Sequence, residues 1–264
     1  MTRPPMPPRL HTDLAYEGEL RRIREMLLMM GAKVEEMLGQ AMKALVERDS
    51  ELADRTLYID RQINRLELEV DDLCLRVLAR RQPVASDLRF ITTALKVVTD
   101  LERMGDMGVN ICERVMELNE EPPLKPYVEV VHMAEAAQEM LREALDAFVA
   151  GDADRAAAIV ERDSKVDAYY AAIFRELLTY MMENPRNIYR ATREQSIAKY
   201  IERIADHATN LAEMVVFMVR GKDIRHVGKL ERRASTRAAP AAAAVTDDSD
   251  ASLRDLAETG RQKP

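Results

Sequence analysis

The sequence predicts an all-α protein made of two tandem, pseudo-repeated antiparallel three-helix bundles. Three observations predict it. Apolar residues recur at spacings of three and four through stretches of about 35 residues, the spacing of one helix face. The stretches are separated by short capping or proline-bearing turns. The pattern of the first half also returns roughly 100 residues later, the mark of an internal duplication. Composition agrees, with only 9 Gly, 5% aromatic residues, 16 Met and no Trp, a chain of good helix formers.

Taken in order, residues 1–11 form an extended N-terminus, because Pro4, Pro5, Pro7 and Pro8 fix φ and remove backbone donors. The first bundle spans 12–121. Its first helix begins near Thr12 or Asp13 and runs to about Arg48, with Leu20, Ile23, Leu27, Met30, Val34, Met37, Leu38, Ala41 and Leu45 on the core face. Asp49 or Ser50 supplies the next N-cap, ahead of acidic Glu51. That second helix reaches about Arg81, where Gln82-Pro83 breaks it. Ser86 or Asp87 is the expected cap of a third helix running to about Asn119. Helices this long, roughly 50 Å, are stable only when packed side by side.

Glu121-Pro122-Pro123-Leu124-Lys125-Pro126 separates the halves, and the second bundle spans 122–222. A helix from about Tyr127 to Ala150 ends at Gly151, Asp152 caps the next, and Asn184-Pro185 interrupts before a last helix ending near Gly221. Asp49, Asp60 and Asn64 match Asp152, Asp163 and Asp167 at a separation of 103, whereas Glu102 and Asp106 match Glu202 and Asp206 at 100. The three-residue difference falls in the proline turn, where a change of length costs little. Residues 223–264 are basic and then Ala/Pro-rich, and 232–264 are expected to be a disordered tail, with transient helix at 252–258.

Bulk properties exclude several classes. A net charge of −7 argues against nucleic acid as the main partner. Cys74 and Cys112 lack CxxC or zinc spacing and read as small buried residues of a reducing compartment. No apolar run approaches the ~20 residues of a membrane span, and Met1 to Leu10 has no signal-peptide character, so a cytoplasmic location is expected.

The chemistry is concentrated in one repeated stretch. Glu202, Asp206, Asn210 and Glu213 lie along one helical stripe, and Glu102, Asp106, Asn110 and Glu113 repeat it. The packing seam of the same helices is Ala94, Val98, Leu101, Gly105, Gly108, Cys112 and Val115, then Ala198, Ile201, Ala205, Ala208, Ala212, Val215 and Val219. The stripe lies about 100° round from that seam. Small residues at 105, 108, 205 and 208 let a neighbouring helix come close at its level. The neighbouring second helix offers Asp60, Asn64, Glu67 and Asp71, whereas its counterpart keeps Asp163 and Asp167 but has Tyr170 and Phe174. Facing oxygen stripes repel unless a cation lies between them, and an all-oxygen set suits hard ions: Mg, Mn, Ca or iron. The plain alternative is a pair of solvated faces partly neutralised by Arg103 and Arg203, each exposed pair worth only about 0–1 kcal/mol. Glu129-x-x-His132 has no second copy and does not make a di-iron site, and His207 points about 100° away from Asp206.

Three segments, Asp60-x-x-x-Asn64, Gln82 to Arg89 and Asp100 to Asp106, resemble the signature of the PhoU family, and Tyr200 to Asn210 fits it too. The resemblance covers about residues 14–222. It implies an all-helical, often dimeric regulator with multinuclear metal clusters on the bundle surface. By position the metal residues are Asp60, Asn64, Glu102, Asp106, Asn110, Asp163, Asp167, Glu202, Asp206 and Asn210. The implied role is non-enzymatic: restraint of phosphate uptake by the phosphate-specific ABC transporter and of phosphate-starvation signalling. The implied partners are the transporter ATPase subunit and a sensor histidine kinase. Asn64, Tyr170 and Phe174 depart from a strict acidic pattern, so the two clusters are expected to differ. A carboxylate-ligated metalloenzyme and a purely structural helical scaffold stand as the competing readings. The enzyme reading lacks a dedicated general base or nucleophile.

Overall fold

The structure, a computed structural model, describes residues 11–221, with side chains from residue 14. The expectations for residues 1–10 and for the tail beyond 221 lie outside them. Six long helices account for almost the whole of this span: α1 (His11–Glu47), α2 (Ser50–Arg81), α3 (Ala85–Asn119), α4 (Val128–Ala150), α5 (Ala153–Glu183) and α6 (Ile188–Arg220). A 3-10 turn, Pro185–Asn187, precedes α6.

The duplicated caps form as expected. Asp49 accepts from the Leu52 backbone N–H at 2.8 Å, and Asp152 accepts from those of Asp154 and Arg155 at 3.1 and 3.0 Å. Each satisfies donors that the first turn of a helix leaves unpaired. Gly151 and Gly221 close α4 and α6 at φ 65° and 67°, the left-handed region that glycine enters without a Cβ penalty. The start of α3 differs from the expectation. The helix begins at Ala85 after Val84, which gives no side-chain cap. Asp87 is already inside the helix, and its carboxylate is taken by the Tyr16 hydroxyl of α1 at 2.9 Å.

The core-face residues assigned to α1 are all buried, as are both packing seams except Val219. Val219 is 41% exposed because the last turn of α6 lies at the rim of the bundle, beside the Gly151 turn that ends α4. Cys74 and Cys112 are buried free thiols, and burial pushes both up to about 12. They sit in the structure as inert packing residues.

Each bundle packs its three helices on one another, and the two bundles join through α3 against α6 and α1 against α4. Paired contacts show that both junctions are antiparallel. Along α3 and α6, Arg89 donates to the Met218 carbonyl at 3.1 Å, and Asp100 lies 2.8 Å from His207 Nδ1. Along α1 and α4, Gly31 lies against Leu145 and Gly39 against Gln138, while Glu35 between them takes a two-pronged bond from Arg142 at 2.9 and 2.6 Å. Phe90 stacks on Phe148 across the junction with ring centroids 5.5 Å apart. The buried side chains of both repeats consequently form one contiguous hydrophobic core.

Candidate functional site

The small residues of α3 do what their spacing predicts. A Cβ on Gly105 would meet Ile63 at 3.1 Å and Asp60 Oδ1 at 3.4 Å, so this glycine sets how closely α2 approaches the acidic stripe. Gly108 faces the other way, toward Met37 of α1. The close approach brings Asp60, Asn64 and Glu67 of α2 alongside Glu102 and Asp106 of α3, with Asp71 one turn beyond Glu67.

Electrostatics confirm the clustering. Burial raises the Asp60 carboxyl above its ordinary range, and the charge of Asp106 raises it further. Glu67 is raised by burial, Asp71 and Asp106. Glu102 is raised by burial, by Asp106, Glu67 and Asp60, and by a hydrogen bond shared with Asp106. Like charges held this close disfavour joint ionisation. Among the described residues no lysine or arginine forms an ion pair with these acids, Arg103 included. Asn64 donates its amide to Asp60 at 2.9 Å, yet Asp60 Oδ1 and Asn64 Oδ1 are buried without a hydrogen-bond partner. Orphaned buried oxygens beside unpaired carboxylates match the donor chemistry of a hard cation. No three His, Cys, Asp or Glu side chains among the described residues already converge as a finished ligand cage. The donor set fits the ion in chemistry, on an open face.

The second repeat is different. Asp163 is buried at 8% exposure and accepts from the Thr209 hydroxyl at 3.4 Å. Glu202 is bonded to Lys199 at 2.6 Å, and the same ammonium lies 5.3 Å from the centre of the Tyr170 ring. Asp206 is exposed and Asp167 lies one turn beyond Asp163 on α5, each with interactions of its own. Arg203 joins no ion pair here.

Each stripe runs along one continuous helix, but the exposure and partners of its residues change along its length. Asn110 ties its amide to the Asp106 carbonyl at 2.7 Å, and exposed Glu113 meets Arg114 at 3.5 Å. Asn210 lines a groove of about 570 Å³ between α3 and α6, with Lys96, Asp100, Arg103 and Met214. Glu213 is buried at 7% exposure. The cause is packing: α6 lies against α3, α4 and α5, so little of its circumference is free. His132 only tilts against Tyr169, its ring 6.5 Å away, and His207 is held by Asp100. Neither imidazole belongs to the acidic faces.

The sequence reading missed Lys199 and Thr209. Lys199 carried a signal, since Lys199 and Glu202 are three apart on a helix and so share a face. Position 99 of the first repeat is Thr. Missed too was a network in which buried Lys125 bonds half-exposed Glu176, and also Glu129 at 3.3 Å, with buried Glu194 at 4.0 Å.

The family model for the PhoU domain matches this chain twice, over residues 27–115 and 130–215. The chain belongs to the PhoU family. One match falls within α1–α3 and the other within α4–α6. A PhoU relative from Pseudomonas putida, named a phosphate-specific transport system accessory protein PhoU homolog, is 45% identical over 219 residues, covering 83% of this chain and 86% of the relative. The Escherichia coli K12 accessory protein PhoU is 38% identical over 218 residues, covering 83% and 90%. The crystal structure of PhoU from Pseudomonas aeruginosa superposes with a TM-score of 0.75 at 46% identity, covering 78% of this chain and all of that one. The phosphate transport system regulatory protein PhoU from Streptococcus pneumoniae gives 0.73 at 30% identity, covering 79% and 99%. The PhoU match thus includes most of both repeats.

Proposed function

We propose that this chain is a non-enzymatic regulator of phosphate transport. In this reading it restrains uptake by the phosphate-specific ABC transporter and the phosphate-starvation two-component response when phosphate is plentiful. It acts through contacts with the transporter ATPase subunit and the sensor histidine kinase, from the cytoplasmic side. The observation that carries the reading is the match of both repeats to the PhoU domain, at up to 46% identity to proteins named as accessories of phosphate transport. The fold is compatible: no described helix is long and apolar enough to cross a membrane.

The face of the first repeat is where a hard cation fits. Asp60, Asn64, Glu67, Glu102 and Asp106 would supply oxygen ligands to Mg²⁺, Mn²⁺, Ca²⁺ or iron. A bound ion would neutralise acids that otherwise repel and would pin α2 to α3. Deletion of the gene is expected to raise phosphate uptake in phosphate-rich medium, and the intact gene is expected to restore restraint. Affinity capture at high phosphate is expected to recover the ATPase subunit or the kinase. Unchanged uptake in the deletion strain, together with neither partner recovered at high or low phosphate, would refute the regulator.

A further inference from the structure

The two repeats place different chemistry at matching positions: Asp167 stands where the first has Asn64, and the remaining differences act in the other direction. Where the first repeat has Glu67 and Asp71, the second has Tyr170 and Phe174, so two carboxylates are gone. Where the first has Thr99, whose hydroxyl is spent on the Leu95 carbonyl at 3.1 Å, the second has Lys199. Where the first has apolar Val109, the second has Thr209, which donates to Asp163. The first face is therefore an unpaired set of acids. The second already contains its positive charge.

We propose that Lys199 is a built-in cation of the second repeat, taking electrostatically the place that a metal ion takes in the first, so that the chain loads cation from solution in one repeat only. The proposal rests on the cation reading of the first repeat given above. Its own support is geometric. The Lys199 ammonium bonds Glu202 at 2.6 Å, on a side chain only 16% exposed. Its position over the Tyr170 ring, 5.3 Å from the centroid, adds the attraction of a cation for the negative ring face. A tethered ammonium is always present at its partner and, unlike a free ion, loses no translational freedom on pairing. A divalent ion arriving here would have to displace it.

The test is Mn²⁺ binding by calorimetry and elemental analysis, after stripping the full chain with EDTA. In the wild type one class of sites is expected, abolished by Asp60→Asn and unaffected by Glu202→Gln. Lys199→Thr, which installs the residue of the first repeat, is expected to open a second class, and Glu202→Gln in that background to close it again. Lys199→Arg is expected to keep the single class. Loss of Mn²⁺ from the wild type on Glu202→Gln alone, or no second class in Lys199→Thr, would overturn the proposal. A double-mutant cycle of Lys199→Thr and Glu202→Gln, followed by denaturant unfolding in EDTA, separates this idea from the reading beneath it. A coupling of about two- to fivefold in the unfolding equilibrium is expected. If the wild type takes up no Mn²⁺ at all, the cation reading of the first repeat falls. The metal-free cycle then decides Lys199 by itself: coupling sustains its role as counter-ion, and none removes it.

Discussion

Glu194, 1% exposed where α4, α5 and α6 meet the linker, carries an Oε1 with no hydrogen-bond partner. Burial pushes its carboxyl up to about 7; Lys125 opposes the rise, while Glu176 and Glu129 add to it. Burial by itself would lower the Lys125 ammonium, but its bond to Glu176 and the charges of Glu194 and Glu176 hold it above its ordinary value. The sign for stability follows from proton binding. Between about 4.5 and 7 the folded state holds a proton on Glu194 that the unfolded chain releases, so this residue lowers stability as pH rises through that window. Glu194→Gln is therefore expected to gain roughly 3 kcal/mol on the wild type between pH 4.5 and 8. Urea unfolding at several pH values measures it, and parallel pH profiles would contradict it. The acids of the first-repeat face share this sign, since Asp60, Glu67 and Glu102 are all raised.

At the scale of elements, the helix junctions depend on small residues, and Gly31 is the tightest case. A Cβ placed there would lie 2.0 Å from Leu145 Cδ1, a side chain with 2% exposure. Gly31→Ala is expected to cost about 1–3 kcal/mol through overpacking, and Leu145→Ala in the same chain to recover part of it. Thermal unfolding of the single and double variants reads the effect, and strictly additive losses would count against a shared contact. Much of this level was legible in the sequence. Three-and-four spacing identified α1, α3 and α6, the paired Asp caps located α2 and α5, and Gly151 and Gly221 marked helix ends. Other parts were not. Spacing assigns a residue to a face but not to a neighbour, so it could not tell that Asp87 answers Tyr16 instead of capping α3. Nor could it tell that Asn210 turns toward the α3–α6 groove. The acidic faces were legible because they occur twice, and the role of Lys199 was not, because it occurs once.

For the whole molecule, the duplication has not produced two separate bodies. α3 and α6 lie antiparallel in a shared core, with Asp100–His207 and Phe90–Phe148 bridging the repeats. A fragment of residues 12–121 is accordingly expected to expose the α3 and α1 surfaces that α6 and α4 cover. Such surface drives association or partial unfolding. Circular dichroism and light scattering of the fragment test this, and a monomer unfolding as cooperatively as the full chain would refute it. One departure from symmetry has a consequence in time. α4 is 23 residues long whereas α1 is 37, so the beginning of α1 has no counterpart in the second repeat. Before Leu20 that segment is fastened by the Tyr16–Asp87 bond and by Glu19, which meets Arg81 at 3.0 Å. The amides there should trade hydrogen for deuterium within seconds to minutes, while those from Ile23 onward wait for the whole core to open. The first turns of α1 thus keep a faster clock than the protein they belong to.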